Sequence, residues 1–161
     1  RHERRRKMEK GINAYIKERF HLGDVDIRTY SPLTLAYIGD GIYDLVIRSV
    51  VVGRGNTKAG KLHQTTSQLV KAHAQSEMMH AIEPELTEEE SDVFRRGRNA
   101  KSPTMAKNAT MADYRRATGF EALMGYLYLK DDFERLVELV LCGLEHYDAK
   151  TGKTIEEKQG E

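Results

Sequence analysis

Apolar positions recur along the chain at steps of three and four, the spacing that lines one side of a helix, and no segment alternates in the manner of a half-buried strand. Ile12, Tyr15, Ile16 and Phe20 predict a short amphipathic helix near the N-terminus. From Pro32 the chain enters a long helix over Leu33 to Val52, whose buried stripe is Leu35, Ile38, Ile42, Leu45, Val46 and Val50, with Asp40 off that stripe. After the break Gly53-Arg54-Gly55-Asn56, a second long helix is expected from about Leu62 to Ile82 on Leu62, Leu69, Val70, Ala74, Met78 and Ile82. Pro84 closes it, because proline cannot continue a helix.

Thr87-Glu88-Glu89-Glu90 has the capping-box pattern, in which hydroxyl and carboxylate each satisfy a backbone amide, and it predicts a helix through Arg95 or Arg96. Gly97 to Thr110 reads as a long ordered loop, and loops of that length in compact domains tend to carry function. Helical signals resume at about Met111, with Phe120, Leu123, Met124 and Leu127 as a core-facing stripe up to Leu129. After Asp131-Asp132 a last helix uses Phe133, Leu136, Val137, Val140, Leu141 and Leu144, and a polar, frayed tail is expected from about Asp148 to Glu161. The three prolines fall between these segments, so the expected fold is all-α, and 161 residues suit one core with room for a cleft.

Composition narrows the class. With 39% hydrophobic and 32% charged residues the chain has the make-up of a soluble globular protein. The single cysteine, Cys142, sits in an apolar run, which excludes a disulfide framework or a zinc cluster and suggests a buried, inert thiol. No apolar stretch approaches the roughly 18 residues that span a bilayer, and no signal-peptide core is seen, so a reducing, cytoplasmic setting is expected. The first residue is Arg, and the true start is expected upstream. Absence of a phosphate-binding glycine loop, an H-x-x-x-H spacing or a Gly-x-Ser-x-Gly elbow removes support for kinase, dinucleotide-binding, zinc-hydrolase and serine-hydrolase readings.

A formal net charge of +1 says nothing by itself about a polyanionic partner, but the charge is unevenly spread. The head, Arg1 to Lys10, is basic, with Arg4-Arg5-Arg6-Lys7 in a row. A second basic strip holds Arg95, Arg96, Arg98, Lys101, Lys107, Arg115 and Arg116, with Asp113 the acid inside it. Arginine presents a fork of donors to phosphate oxygens, and Asn99, Ser102, Thr104 and Asn108 add backbone and sugar contacts. The alternative is a solvated loop answering the acidic run from Glu83 to Asp92. Tyr114 is the one ring in the strip, which favours tracking of duplex phosphates over single-strand stacking.

Asp40 and Asp44, four apart, share a helix face and suit a hard cation, although pairing of Asp44 with Arg48 is the preferred reading for Asp44. Glu121 lies in an otherwise apolar segment, where a carboxylate needs a cationic partner or a metal. Arg115, Arg116 or a backbone group could supply that partner, and from the residues alone a structural salt bridge is the favoured reading of Glu121.

The segments 33–44 (LTLAYIGDGIYD), 95–102 (RRGRNAKS) and 114–129, with Lys61-Leu62-His63 and 69–72 (LVKA), resemble the Mini-III branch of the ribonuclease III family, in order, over roughly Ser31 to Tyr147. The resemblance implies a helical ribonuclease III endonuclease domain over 31–147 and no separate double-stranded-RNA-binding domain, which leaves 1–30 as a basic N-terminal helical extension and 148–161 as a polar tail. It implies a homodimer that hydrolyses double-stranded RNA, each site cutting one strand, with the paired stem of precursor large-subunit ribosomal RNA as substrate and a ribosomal protein as a possible helper. Asp40 matches the aspartate ending the family's first acidic motif and Glu121 the glutamate of its second, both ligands of Mg²⁺ there. The basic strip, namely Arg95, Arg96, Arg98, Asn99, Lys101, Lys107, Asn108, Arg115 and Arg116, then becomes the RNA grip. Leu33, Ala36, Ala59 and Thr118 stand where longer relatives carry further acids, which suits the Mini-III branch and leaves the number of metals open. Two rivals are a non-catalytic RNA-binding or ribosome-assembly factor on the same fold and a helical DNA-binding regulator.

Overall fold

The computed structural model describes residues 11–101 and 110–151. The basic head, the stretch 102–109 within the expected loop, and the chain after Thr151 lie outside the described residues. Among the described residues there are seven α-helices and no strand: α1 (Ile12–Arg19), α2 (Pro32–Arg54), α3 (Ala59–Val70), α4 (Ala72–Ile82), α5 (Glu88–Asn99), α6 (Met111–Leu129) and α7 (Phe133–Thr151). Short 3-10 turns occupy Ile27–Thr29 and Glu83–Glu85.

Helix starts follow side-chain caps. Ser31 caps α2 through the Thr34 amide, with Pro32 in the first turn, and Thr110 caps α6 through the Asp113 amide. The capping box on α5 is complete, with the Thr87 hydroxyl accepting from the Glu90 amide and the Glu90 carboxylate accepting from the Thr87 amide. Glu90 also takes both arms of Arg135 from α7, at 2.9 and 3.0 Å, which compensates a carboxylate that is otherwise buried.

Helix α6 is the centre of the domain. It packs most extensively on α2 and also meets α5, α4 and α7. Ala117, Gly119, Phe120 and all of 122–128 are buried, the pattern of a helix surrounded by protein rather than of one with a wet side. Two crossings bring backbone against backbone. A Cβ on Gly125 would lie 1.9 Å from the Leu35 carbonyl oxygen, and one on Gly39 would lie 1.7 Å from that of Glu121, so α2 and α6 are as close as glycine permits. On the other side, a Cβ on Gly119 would meet Phe94 at 2.7 Å, and one on Gly97 would meet Ala122 at 2.8 Å, which seats α5 on α6.

Several sequence expectations are corrected. The helix expected over 62–82 is two helices with an extended residue, Lys71, between them. Side chains take up the carbonyls freed there: the Tyr43 hydroxyl donates to Leu69 at 2.6 Å and the Gln75 amide to Val70 at 2.8 Å. The stripe of α2 is rotated, with Tyr43, Ile47 and Val51 buried and Leu45 exposed. Helix α5 continues through Gly97 to Asn99, because Gly97 is a packing residue and not a breaker. Helix α7 reaches Thr151, past the expected tail start, and Phe133, Val137 and Leu141 face solvent while Leu139, Gly143 and Tyr147 are buried. The apolar side of α1 is exposed as well, and Cys142 is half-buried.

The α2–α6 contact yields a paired test by urea denaturation. Gly125→Ala forces the helices apart and is expected to lower the unfolding free energy by about 3 kcal/mol. Gly41→Ala, on the open side of α2 with nothing within 4 Å, is expected to be neutral or to stabilise by up to about 1 kcal/mol through helix propensity. Equal effects of the two would show that the crossing does not depend on glycine.

Candidate active site

The close crossing of α2 and α6 sets the geometry of the two acidic candidates. Asp40 follows Gly39, the residue against the Glu121 carbonyl, so the chain brings the two acids to one place from positions 81 apart. Asp40 is exposed on α2, whereas Glu121 is half-buried in the otherwise apolar stretch of α6. The buried Tyr43, one turn after Asp40, stacks edge-on against Phe120 at 5.1 Å and closes the floor beneath them. Its phenol is pushed up by burial first, then by Tyr147 and Glu121.

Neither Asp40 nor Glu121 has a hydrogen bond or ion pair to any described residue. The partners proposed for Glu121 are engaged elsewhere or open to solvent: an Arg116 amino group donates to His80 Nε2 on α4, and Arg115 is exposed. Burial, and then the charge of Asp40, push the Glu121 carboxyl up to about 8. Asp40 is raised by burial and then by Asp44. Asp44 itself is held by Arg48 at 2.7 Å, the ordinary i, i+4 ion pair that the spacing suggests.

Two carboxylates that repel each other, with no cation beside them among the described residues, suit a hard divalent ion, which takes oxygen donors. No group of three or more His, Cys, Asp or Glu side chains is arranged for a metal among the described residues. Asp40 and Glu121 thus make a two-ligand set at most, and water or substrate oxygen would complete the shell.

The basic strip is divided by the structure. Arg95, Arg96, Arg98 and Asn99 lie on the last two turns of α5, with Lys101 exposed just after it. Arg95, Arg96 and Asn99 line an open groove with Pro32 at the start of α2. Arg95 pairs with Asp92, and Arg98 lies over the Phe94 ring with its guanidinium 5.5 Å from the centroid. Arg115 and Arg116 begin α6, with Arg116 turned to α4. Lys107 and Asn108, with Ser102 and Thr104, lie outside the described residues. Gly97 rests on Ala122, which sets the end of α5 that carries Arg95, Arg96, Arg98 and Asn99 against the segment of α6 that holds Glu121. The residues that sequence reasoning missed are the placing glycines, Gly39, Gly97, Gly119 and Gly125. Their signal was present: small residues set beside acidic and apolar ones in helices otherwise rich in large side chains.

Comparison with known proteins points one way. Residues 33–132 match the ribonuclease III domain. The chain is 48% identical over 124 residues to Mini-ribonuclease 3 of Clostridium tetani, covering 76% of this chain and 82% of that protein. It is 45% identical over 133 residues to Mini-ribonuclease 3 of a Thermoanaerobacter species, covering 83% and 94%. Among solved structures, the crystal structure of protein FN1578 from Fusobacterium nucleatum aligns with a TM-score of 0.67 at 31% identity, over 73% of this chain and 94% of that one.

The raised carboxyl of Glu121 fixes a pH dependence. Its folded value, about 8, lies above the ordinary 4.5, so the folded state holds the proton more tightly than the unfolded chain does. Its contribution to stability is therefore full below 4.5 and is lost as the pH rises through 8. In metal-free thermal melts from acid to pH 9, the wild type is expected to lose melting temperature relative to Glu121→Gln across that window, and Mg²⁺ to restore it. Parallel pH profiles would contradict the assignment.

Proposed function

The chain belongs to the ribonuclease III family and is an endoribonuclease, and from that premise we propose that Asp40 and Glu121 form its Mg²⁺-binding active centre, acting on double-stranded RNA held by the basic residues of α5 and α6. The observation that carries the reading is the α2–α6 crossing, which sets these two acids together without a counter-ion among the described residues. A divalent cation bound there supplies Lewis-acid activation of water and of the departing 3′ oxygen.

The chain's own groups do the rest. Glu121 would hold the cation as a carboxylate, since positive charge beside it would oppose the effect of burial and of Asp40. The exposed Asp40 and the half-buried Glu121 would supply the carboxylate oxygens that hold the cation. Arg98, fixed over Phe94, and Arg95, Arg96, Asn99 and Lys101 beside it meet phosphates and 2′-hydroxyls of the shallow groove, a mode that positions the duplex without reading bases. Lys107, Asn108, Arg115 and Arg116 extend that grip in this reading.

We read residues 31–147 as the catalytic domain and place the protein in the cytoplasm; no helix among the described residues is long and apolar enough to cross a membrane. The substrate we assign is the paired stem of precursor large-subunit ribosomal RNA, with a ribosomal protein as helper. The working unit is a homodimer. Tyr37, 82% exposed, and the exposed Leu45 and Val52 stand on α2 around the Asp44–Arg48 pair, apolar side chains that a second copy would cover.

Asp40→Asn and Glu121→Gln are each expected to reduce Mg²⁺-dependent cleavage of a long duplex to the no-enzyme background with the helical circular dichroism unchanged. Cleavage retained by either variant would sink the assignment of that residue. Arg98→Gln with Lys101→Gln is expected to weaken duplex binding and lower its salt slope by about 1 per residue, leaving metal affinity alone; an unchanged slope would turn this strip away from the RNA.

A further inference from the structure

One side of α2 is used by the fold and the other is not. Gly39, Ile42, Tyr43, Val46, Ile47 and Val51 turn inward, where the helix packs on α6, α3 and α5. The outward side carries Tyr37, Leu45 and Val52, each at least half exposed, with Asp44 and Arg48 among them. Large apolar side chains gathered on an open helix face mark a surface that another molecule covers. A nucleic-acid duplex does not suit this one, because phosphates take cations and polar donors rather than apolar side chains, and the carboxylates of Asp44 and Asp40 repel them.

The charged pair within that side is only partly used. Arg48 donates from Nε to Asp44 Oδ2 at 2.7 Å, and neither its two amino groups nor Asp44 Oδ1 bonds to any described residue. Arginine binds carboxylates best through two parallel N–H donors, so the fork and the acid each have room for a second partner. Both side chains stay partly in solvent, 51% for Arg48 and 37% for Asp44.

Self-complementarity names that partner. About a two-fold axis perpendicular to a helix, the helix meets its own copy antiparallel, and residue i faces j as j faces i. An acid and a base one turn apart then fall opposite each other's counterparts when the axis passes between them. Asp44 and Arg48 have this spacing, about 6 Å along α2. We propose that Asp44 and Arg48 set the register of the homodimer, each Arg48 reaching Asp44 of the second copy across the outward side of α2. This rests on the homodimer reading above and gives it a determinant. Asp40 stands one turn before Asp44, so the contact forms beside the acidic centre and its loss reaches cleavage.

The test uses two full-length variants, Asp44→Lys and Arg48→Glu, singly and mixed, with native mass spectrometry and sedimentation as readouts. Each variant alone brings like charges together at the contact, and its self-association is expected to weaken about a hundredfold against wild type. Mixed in equal amounts, the two are expected to form the mixed dimer with about wild-type affinity, and to recover duplex cleavage at concentrations where each alone is monomeric. Recovery on mixing also shows that both variants fold. Variants that self-associate as the wild type does, or a mixture without preference for the mixed dimer, would overturn the register. So would an Arg48→Glu chain that stays dimeric but binds duplex more weakly in EDTA, which would give Arg48 to the RNA. A wild-type chain that is monomeric throughout would remove the homodimer reading and this register together, whereas a dimeric wild type with dimeric variants removes the register alone.

Discussion

Gly39 and Gly125 allow α2 and α6 to meet backbone against backbone, and most of the molecule is organised by that contact. With any side chain at either position a Cβ would stand less than 2 Å from a carbonyl oxygen of the other helix. The same helix is held on its other side by α5 through Gly97 and Gly119, so α6 is clamped between two neighbours and buried nearly all round. Glu121 lies between those two clamps, which is why an ionisable group sits in the most enclosed helix of the fold. Asp40 reaches it because it is the residue next to Gly39.

That arrangement has an electrostatic cost that the rest of the fold must offset. Glu121 is raised to about 8 by burial and by Asp40, so that positive charge beside it would favour loss of its proton. Among the described residues, the carboxyl of Glu90 is shifted in the opposite direction. Glu90, the other enclosed acid, is answered by Arg135 and by the Thr87 amide, and burial is overcome so that its carboxyl lies below the ordinary range. The contrast between the two glutamates separates a structural acid from a functional one: both are withdrawn from solvent, and only Glu121 lacks a partner among the described residues. The core that carries the difference is dense and aromatic around the site, with Tyr43, Phe94 and Phe120 fully buried.

Much of the fold was legible in the pattern of residues because local signals were strong. Thr87 marks a helix start by a capping box that the structure shows complete, Pro32 marks the start of α2, and Pro84 follows the end of α4. What was not legible depended on distant partners. The break at Lys71 has no glycine or proline to announce it, and it is stabilised by Tyr43, 26 residues away from the Leu69 carbonyl it binds. Gly97 looked like a loop residue because its reason for being glycine lies on α6. Leu45 was assigned to the core because α2 has apolar residues on more than one side, and periodicity alone does not choose among them. The acidic pair was picked out by family resemblance, while spacing alone favoured an ion pair for Glu121. The structure supplies what spacing could not, the placement of Arg116 against His80 rather than Glu121.

Crystals of the wild-type protein soaked with Mn²⁺, read by anomalous scattering, would test the central claim most directly. The account predicts a peak bound by both the Asp40 and Glu121 carboxylates, at about 2.1 Å from each oxygen as expected for a small divalent ion of this kind. A peak held by other side chains, or by Asp40 with Glu121 turned away, would contradict it.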